Sequence, residues 1–232
     1  QGHYVKARDI IVTNPSTPKL EKLKAEFPEI HTSSNNRDAA DADVVIVAVK
    51  PWKVEEVLKP LRLRQPQILV SVAAGLTFVD PEMPIFRVIP NTAIAERASM
   101  TLIACRNATE EQTEAMLGVF NEMGLAMLIE EKQFAAATSL ASCGIAYVMK
   151  YVQAAMQAGV EAGLRPAEAK KMVAQTLDGA ARLLLRDEHT HPAIEIEKVT
   201  TPGGITIKGV NSLEHDGFTS AVIKAFKATL RS

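Results

Sequence analysis

The run Val199-Thr200-Thr201-Pro202-Gly203-Gly204-Ile205-Thr206 holds the residue types best suited to take up a small anion. Pro202 has no amide to donate, Gly203 and Gly204 let the backbone turn tightly, and the chain then enters a helix whose first N–H groups have no partner inside it. Those amides lie at the positive end of the helix dipole, a setting for a carboxylate. The Thr206 hydroxyl adds one donor or acceptor beside them. Chemistry alone also allows a plain Pro-Gly-Gly turn between two helices.

A second group of residues lies in the first half of the chain. Thr13-Asn14-Pro15-Ser16-Thr17 follows a strand at the place where a dinucleotide-binding sheet reads the adenosine ribose. An acidic residue there would bond the ribose hydroxyls and repel a 2'-phosphate, whereas neutral Asn14, Ser16 and Thr17 accept one, which favours NADPH over NADH. The same residues also make an ordinary helix-capping turn. Ala48-Val49-Lys50-Pro51, Ser71-Val72-Ala73-Ala74-Gly75 and Ile89-Pro90-Asn91-Thr92-Ala93 end three further strands in small or turn-forming residues. Ligands in open α/β sheets sit at such carboxyl ends, although turn formers are common at strand ends in general.

The elements that must position these residues change character along the chain. Up to about Glu130, β-branched runs alternate with helical stretches, the pattern of parallel strands joined by crossover helices. Strands are expected at 9–13, 44–49, 68–72, 85–89, 100–105 and 126–129, and helices at 15–27, 52–60 and 109–123, the last capped by Thr109 with acidic residues in its first turn. Residues 44–49 read as a central strand covered on both faces. Beyond 130 only helical periodicity remains: one or two helices over 135–163, then a restart at Arg165-Pro166 that runs to about Arg186. The stretch 147–159 is apolar on more than one side, which calls for cover by a second copy of the chain or, failing that, by the first domain. Two domains are expected, 1–130 and 131–232. The strand, glycine-rich turn and helix that normally open a dinucleotide sheet are expected upstream of Gln1, which is not an initiator.

Composition removes several classes of function. A formal net charge of -1 without clustered Lys or Arg gives no footprint for nucleic acid or an anionic membrane. No apolar run has the length of a membrane span, and no signal-peptide pattern opens the chain. The two cysteines, Cys105 and Cys143, have no metal-ligand spacing and read as reduced thiols of a cytoplasmic protein. His189 and His191 fall in a turn between helices, and His3, His31 and His215 have no acidic or cysteine partners at useful spacing, so neither a metal site nor an acid–base set is expected.

Six spaced segments, AVKP, SVAAG, IPNT, SLASCGIAY, VTTPGGITIKGV and LEHDGFTSAVIKAF, resemble the pyrroline-5-carboxylate reductase family in register from about Asp9 to the C-terminus. The resemblance implies an α/β Rossmann-type N-terminal domain, here without its first strand and glycine loop, followed by an all-α dimerisation domain, with dimers often assembled into rings. It implies hydride transfer from NADPH or NADH to the imine carbon of 1-pyrroline-5-carboxylate, giving L-proline, the last step of proline biosynthesis. By position, Asn35 matches the asparagine at the adenosine end of the cofactor, and Ala48, Val49, Lys50, Pro51, Ala73 and Asn91 match the strand-end lining. Thr201, Gly203, Gly204, Ile205 and Thr206 match the loop for the substrate carboxylate, with Thr206 nearest the imine nitrogen as the catalytic position.

The chain departs from the family's ALSGSGPAY, with Ala141, Ser142, Cys143 and Ile145 where Ser, Gly, Ser and Pro are usual, and Ile205 replaces a smaller residue. These changes bear on pocket volume more than on fold. Two other readings share the same residues: a related reductase for another imine or small carboxylated substrate, and a non-enzymatic dimeric scaffold that has lost cofactor binding.

Overall fold

The computed structural model describes residues 4–73 and 83–230, so Ala74 and Gly75 of the SVAAG segment lie outside the described residues. The chain divides into two compact units, Gln1–Ser142 and Cys143–Ser232. In the first, β1 (Ile11–Thr13) leads through α1 (Thr17–Glu26) to β2 (His31–Ser33), and the two strands pair in parallel. The helix starts later than the sequence suggests because the Asn14 side chain accepts from the Ser16 N–H at 2.9 Å and holds residues 14–16 in a turn.

A second sheet runs in the order β3 (Val44–Val47), β4 (Ile68–Ser71), β5 (Ile85–Ile89), β6 (Ser99–Arg106), β7 (Gly124–Leu128). Between β3 and β4 the chain passes through the short helix α2 (Val54–Leu58). Two expectations are corrected here. The strand predicted at 44–49 ends at Val47 and stands at an end of its sheet, with Val45 and Val47 buried but Ile46 53% exposed. Its buried face packs on Val54, Leu69 and Met83, and the uninterrupted apolar run conceals that the other face is covered at Val44 but open at Ile46. The sheet is also not wholly parallel: β5 and β6 are antiparallel, because the link between them is a brief 3-10 turn, Thr92–Glu96, too short for a crossover helix.

Thr109 caps α3 (Glu110–Asn121) as expected, its hydroxyl accepting from the Gln112 N–H while Gln112 accepts from the Thr109 N–H, with Glu110 and Glu111 in the first turn. Met116 and Phe120 of this helix close a core with Val70, Phe86, Val88 and Ile103 of the sheet. At Gly124 the chain takes φ +138°, and a β-carbon there would lie 2.2 Å from the Ser99 carbonyl, so the entry to β7 needs glycine.

The helical stretch predicted over 135–163 divides into α4 (Phe134–Thr138), a π turn over Ser139–Cys143, and α5 (Gly144–Glu161). Phe134 buries against Leu102 and Ala104 of β6, which ties α4 to the first unit. In the second unit α5 folds back on α6 (Pro166–Leu185), where Pro166 opens the helix and Gly159 lets Ala169 approach closely. Next come α7 (Pro192–Val199), α8 (Ile205–His215) and α9 (Phe218–Ala228), with Tyr147 of α5 meeting Phe226 edge-on. Large apolar side chains remain outside, among them Met149 at 60%, Leu185 at 77% and Val199 at 61% exposed.

Candidate functional site

The loop between α7 and α8 has the geometry its residues call for. Thr200 Oγ1 donates to the Ile196 carbonyl and closes α7. Gly203 takes φ +72°, which admits glycine with least strain. The Gly204 N–H donates to the Thr201 carbonyl at 2.9 Å, and Gly204 caps α8 with no side-chain oxygen on the helix end. The amides of Ile205, Thr206 and Ile207 therefore open the helix without partners inside it and are available to an anion. Thr201, Gly203, Ile205 and Thr206 are all exposed, Ile205 at 87%. The arrangement can hold a carboxylate by backbone donors, with the Thr206 hydroxyl in the first turn.

In the first unit, parallel pairing of Thr13 with Ser33 brings the carboxyl ends of β1 and β2 side by side, and with them Asn14, Ser16 and Asn35. Thr13 Oγ1 donates to Asn36 Oδ1 at 2.9 Å. Asn35 receives the Arg37 N–H on Oδ1 and donates from Nδ2 to Asp38, whose second oxygen accepts from Ser33 Oγ. Hydroxyl and amide groups thus line this edge around the Asp38 carboxylate, and none of the residues 13–17 that follow β1 is acidic. Arg37 is exposed and enters no ion pair among the described residues. This set of donors and acceptors can bond the adenosine ribose of a dinucleotide. Arg37 was passed over in the sequence, where a lone basic residue two places after Asn35 gives little signal.

The next strand ends are those of β3, β4 and β5. Ala48 and Val49 leave β3, Lys50 is extended and exposed, and Pro51 begins a 3-10 turn over Pro51–Lys53. The Val72 N–H donates to the Val47 carbonyl, which keeps the ends of β3 and β4 together, and Ala73 is buried beside them. Asn91, after β5, is 8% exposed and bonded on both polar ends within the protein, Oδ1 to the Ala93 N–H and Nδ2 to the Ala141 carbonyl. Ala141 and Ser142 lie in the π turn, and this link from strand end to π turn had no signal in the sequence. Among the described residues no group of three or more His, Cys, Asp or Glu is arranged to hold a metal, and no helix is long and apolar enough to cross a membrane.

Residues 131–232 match a family model described as pyrroline-5-carboxylate reductase dimerisation, and residues 1–75 match one described as NADP oxidoreductase, coenzyme F420-dependent. A Dictyostelium discoideum protein, pyrroline-5-carboxylate reductase 1, is 36% identical over 94% of this chain, which spans 43% of that relative's length. Pyrroline-5-carboxylate reductase 2 of the same organism is 35% identical over 96% of this chain and 82% of its own. The crystal structure of a Plasmodium falciparum pyrroline carboxylate reductase with NADP bound superposes with a TM-score of 0.84 at 27% identity, covering 97% of this chain and 86% of that one.

Proposed function

The chain belongs to the pyrroline-5-carboxylate reductase family, and from that membership we propose that the protein reduces 1-pyrroline-5-carboxylate to L-proline with NADPH, the closing step of proline biosynthesis. The observation that carries the reading is the exposed loop from Thr201 to Thr206, whose amides at the start of α8 can clamp the ring carboxylate. The Thr206 hydroxyl is the polar group nearest the imine nitrogen in this reading, and Thr201, Gly203, Gly204 and Ile205 shape the rest of the clamp. The cyclic imine is readily protonated, so little acid catalysis is asked of the protein and orientation is its main contribution, a contribution of up to roughly 7 to 11 kcal/mol.

Residues 1–130 carry the nucleotide in this reading, and residues 131–232 carry the dimer contacts and the substrate loop. Asn14, Ser16 and Asn35 hold the adenosine ribose, Arg37 neutralises its 2'-phosphate, and Ala48, Val49, Lys50, Pro51 and Ala73 line the strand-end crevice, with Asn91 closing it at β5. Bound NADPH supplies the hydride. The neutral end of β1 and the exposed Arg37 favour NADPH over NADH. The exposed apolar face of the second unit supports a homodimer, the family resemblance adds a ring of such dimers, and the unbridged Cys105 and Cys143 support a cytoplasmic setting.

Loss of nicotinamide absorbance on adding 1-pyrroline-5-carboxylate to the full-length protein tests the reading; a folded protein with no turnover rejects it. The exposed Ile205 beside the clamp, with the departures at Ala141, Ser142, Cys143 and Ile145, favours one alternative, a reductase for a related cyclic or small carboxylated imine. A panel of such imines, ranked by kcat/KM, separates the two.

A further inference from the structure

A buried polar chain runs from the sheet into the π turn. Thr101 Oγ1 donates to Ser99 Oγ at 2.9 Å, Ser99 Oγ accepts from the Asn91 N–H at 3.1 Å, and Asn91 Nδ2 donates to the Ala141 carbonyl at 3.0 Å. Thr101 is 0%, Ser99 1% and Asn91 8% exposed, so water cannot readily replace any of these partners. A carbonyl inside a regular helix is bonded along the axis, and a sideways donor is best received where the ladder is widened. The acceptor here belongs to such a turn, Ser139–Cys143. Relaxation of that turn to α geometry would change the helical phase of the residues that follow by one residue, about 100° of rotation.

We propose that Asn91 is a positioning residue for the reduction: through the Ala141 carbonyl it holds the Ser139–Cys143 turn in its π form against the carboxyl end of β5. The catalytic consequence rests on the reductase reading above, and the structural one rests on the hydrogen bonds alone. Asn91 suits the task because its other end stays engaged, Oδ1 accepting from the Ala93 N–H at 3.1 Å, so the amide plane is fixed before it reaches Ala141. The turn it holds includes Ala141, Ser142 and Cys143, three of the positions that depart from the ALSGSGPAY pattern.

Two variants of the full-length protein separate this role from general damage. Asn91→Ser keeps a cap for the Ala93 N–H but is too short to reach Ala141. Asn91→Asp keeps the cap and sets an oxygen against the Ala141 carbonyl, and donates again only when its carboxyl is protonated. The ionisable side chains on the elements packed around it are Arg87 of β5, Glu96 and Arg97 of the following turn, Cys105 and Arg106 at the far end of β6, and Glu131, Lys132 and Cys143 on the helical side. Arg87 pairs with Glu131 and Arg97 with Glu122, and none of them bonds to Asn91.

The expected result is a loss of about ten-fold or more in kcat/KM for the imine with Asn91→Ser at every pH, since a displacement near 1 Å costs up to about a hundred-fold. Asn91→Asp should show that loss at alkaline pH and recover most of it, relative to wild type at the same pH, as the medium becomes acidic. Any rise in the KM for NADPH should be smaller than the loss in kcat/KM for the imine in both, because the other strand-end nucleotide contacts, from Ala48 to Pro51 and at Ala73, are untouched. Wild-type behaviour of Asn91→Ser, a flat pH ratio for Asn91→Asp, or a loss confined to the NADPH KM overturns the proposal. Hydrogen-exchange protection over residues 141–146 reads the clamp without turnover: protection lost in Asn91→Ser supports it, and unchanged protection overturns it. A wild-type protein that turns over no imine would defeat the reductase reading and leave this second readout to decide the clamp.

Discussion

Thr201 closes over Gly204: the Gly204 N–H donates to the Thr201 carbonyl at 2.9 Å, and Thr201 Oγ1 stands 2.6 Å from where a β-carbon on residue 204 would lie. A methyl group there would displace the Thr201 hydroxyl and stand only 3.0 Å from the Thr201 carbonyl, so the turn would have to give by a few tenths of an ångström. The amides of Ile205 and Thr206 are aimed by this closure. Gly204→Ala should therefore lower kcat/KM for the imine by about ten-fold or more, the cost of moving a clamp by a fraction of its length. Affinity for NADPH, measured by fluorescence titration, should stay within about two-fold of wild type. Equal losses for both ligands would mean that the loop does not bind the substrate separately.

Thr206 offers a hydroxyl in the first turn of α8 and is exposed. In Thr206→Ala the backbone donors persist, so the carboxylate clamp remains and only the group beside the imine nitrogen is lost. The expected outcome is a fall in kcat of about ten- to a hundred-fold, the size of one positioned hydrogen bond or proton-handling group. Thr206→Ser should restore most of the rate. Steady-state kinetics with imine and NADPH varied in turn will check this, and an unchanged imine response removes Thr206 from the site.

What could be read in advance follows from the distance over which each feature is decided. The Thr109 cap, the strand at 85–89 and the start of α6 at Pro166 are set by neighbours within a few residues, and all three stand where the sequence puts them. The glycine turn before α8 is equally local. By contrast, the run at 44–49 is apolar throughout, so nothing in it reveals that Ile46 faces outward; that depends on what packs above β3. The π turn is settled by Asn91, fifty residues away in sequence, and no local pattern announces it. The antiparallel β5–β6 pair was in principle readable, since the residues between Ile89 and Ser99 are too few for a crossover.

Cofactor preference should turn on Arg37. Asp38, beside it, is engaged by Ser33 Oγ and Asn35 Nδ2, which leaves the Arg37 guanidinium as the cation nearest the ribose-reading edge in sequence. Removing it in Arg37→Ala should raise the KM for NADPH by about ten-fold, the worth of one charge-assisted contact, and leave that for NADH within about two-fold. The difference should shrink as ionic strength rises, because an exposed cation is screened. Equal effects on the two nucleotides would place the 2'-phosphate elsewhere.

Arg87 and Phe134 fasten α4 to the sheet. The guanidinium lies 4.5 Å from the ring centroid and pairs with Glu131, while its side chain is only 13% exposed. Burial lowers the Arg87 pKa from its ordinary value. For a base shifted downward, the folded state bears a cost while the group is protonated, and that cost is lifted only as pH climbs through the ordinary arginine range, far above neutrality. The pair should therefore give no change in stability across the neutral range. Truncation is different, because it removes packing, stacking and pairing together. Arg87→Ala should lower unfolding stability by about 1 to 3 kcal/mol, whereas Arg87→Met, which keeps the apolar cover over Phe134 and leaves the half-exposed Glu131 to water, should cost about 1 kcal/mol or less. Urea unfolding of the two variants at neutral and mildly alkaline pH decides it. If Met is as harmful as Ala, the charge itself and not the apolar cover holds α4 on β6.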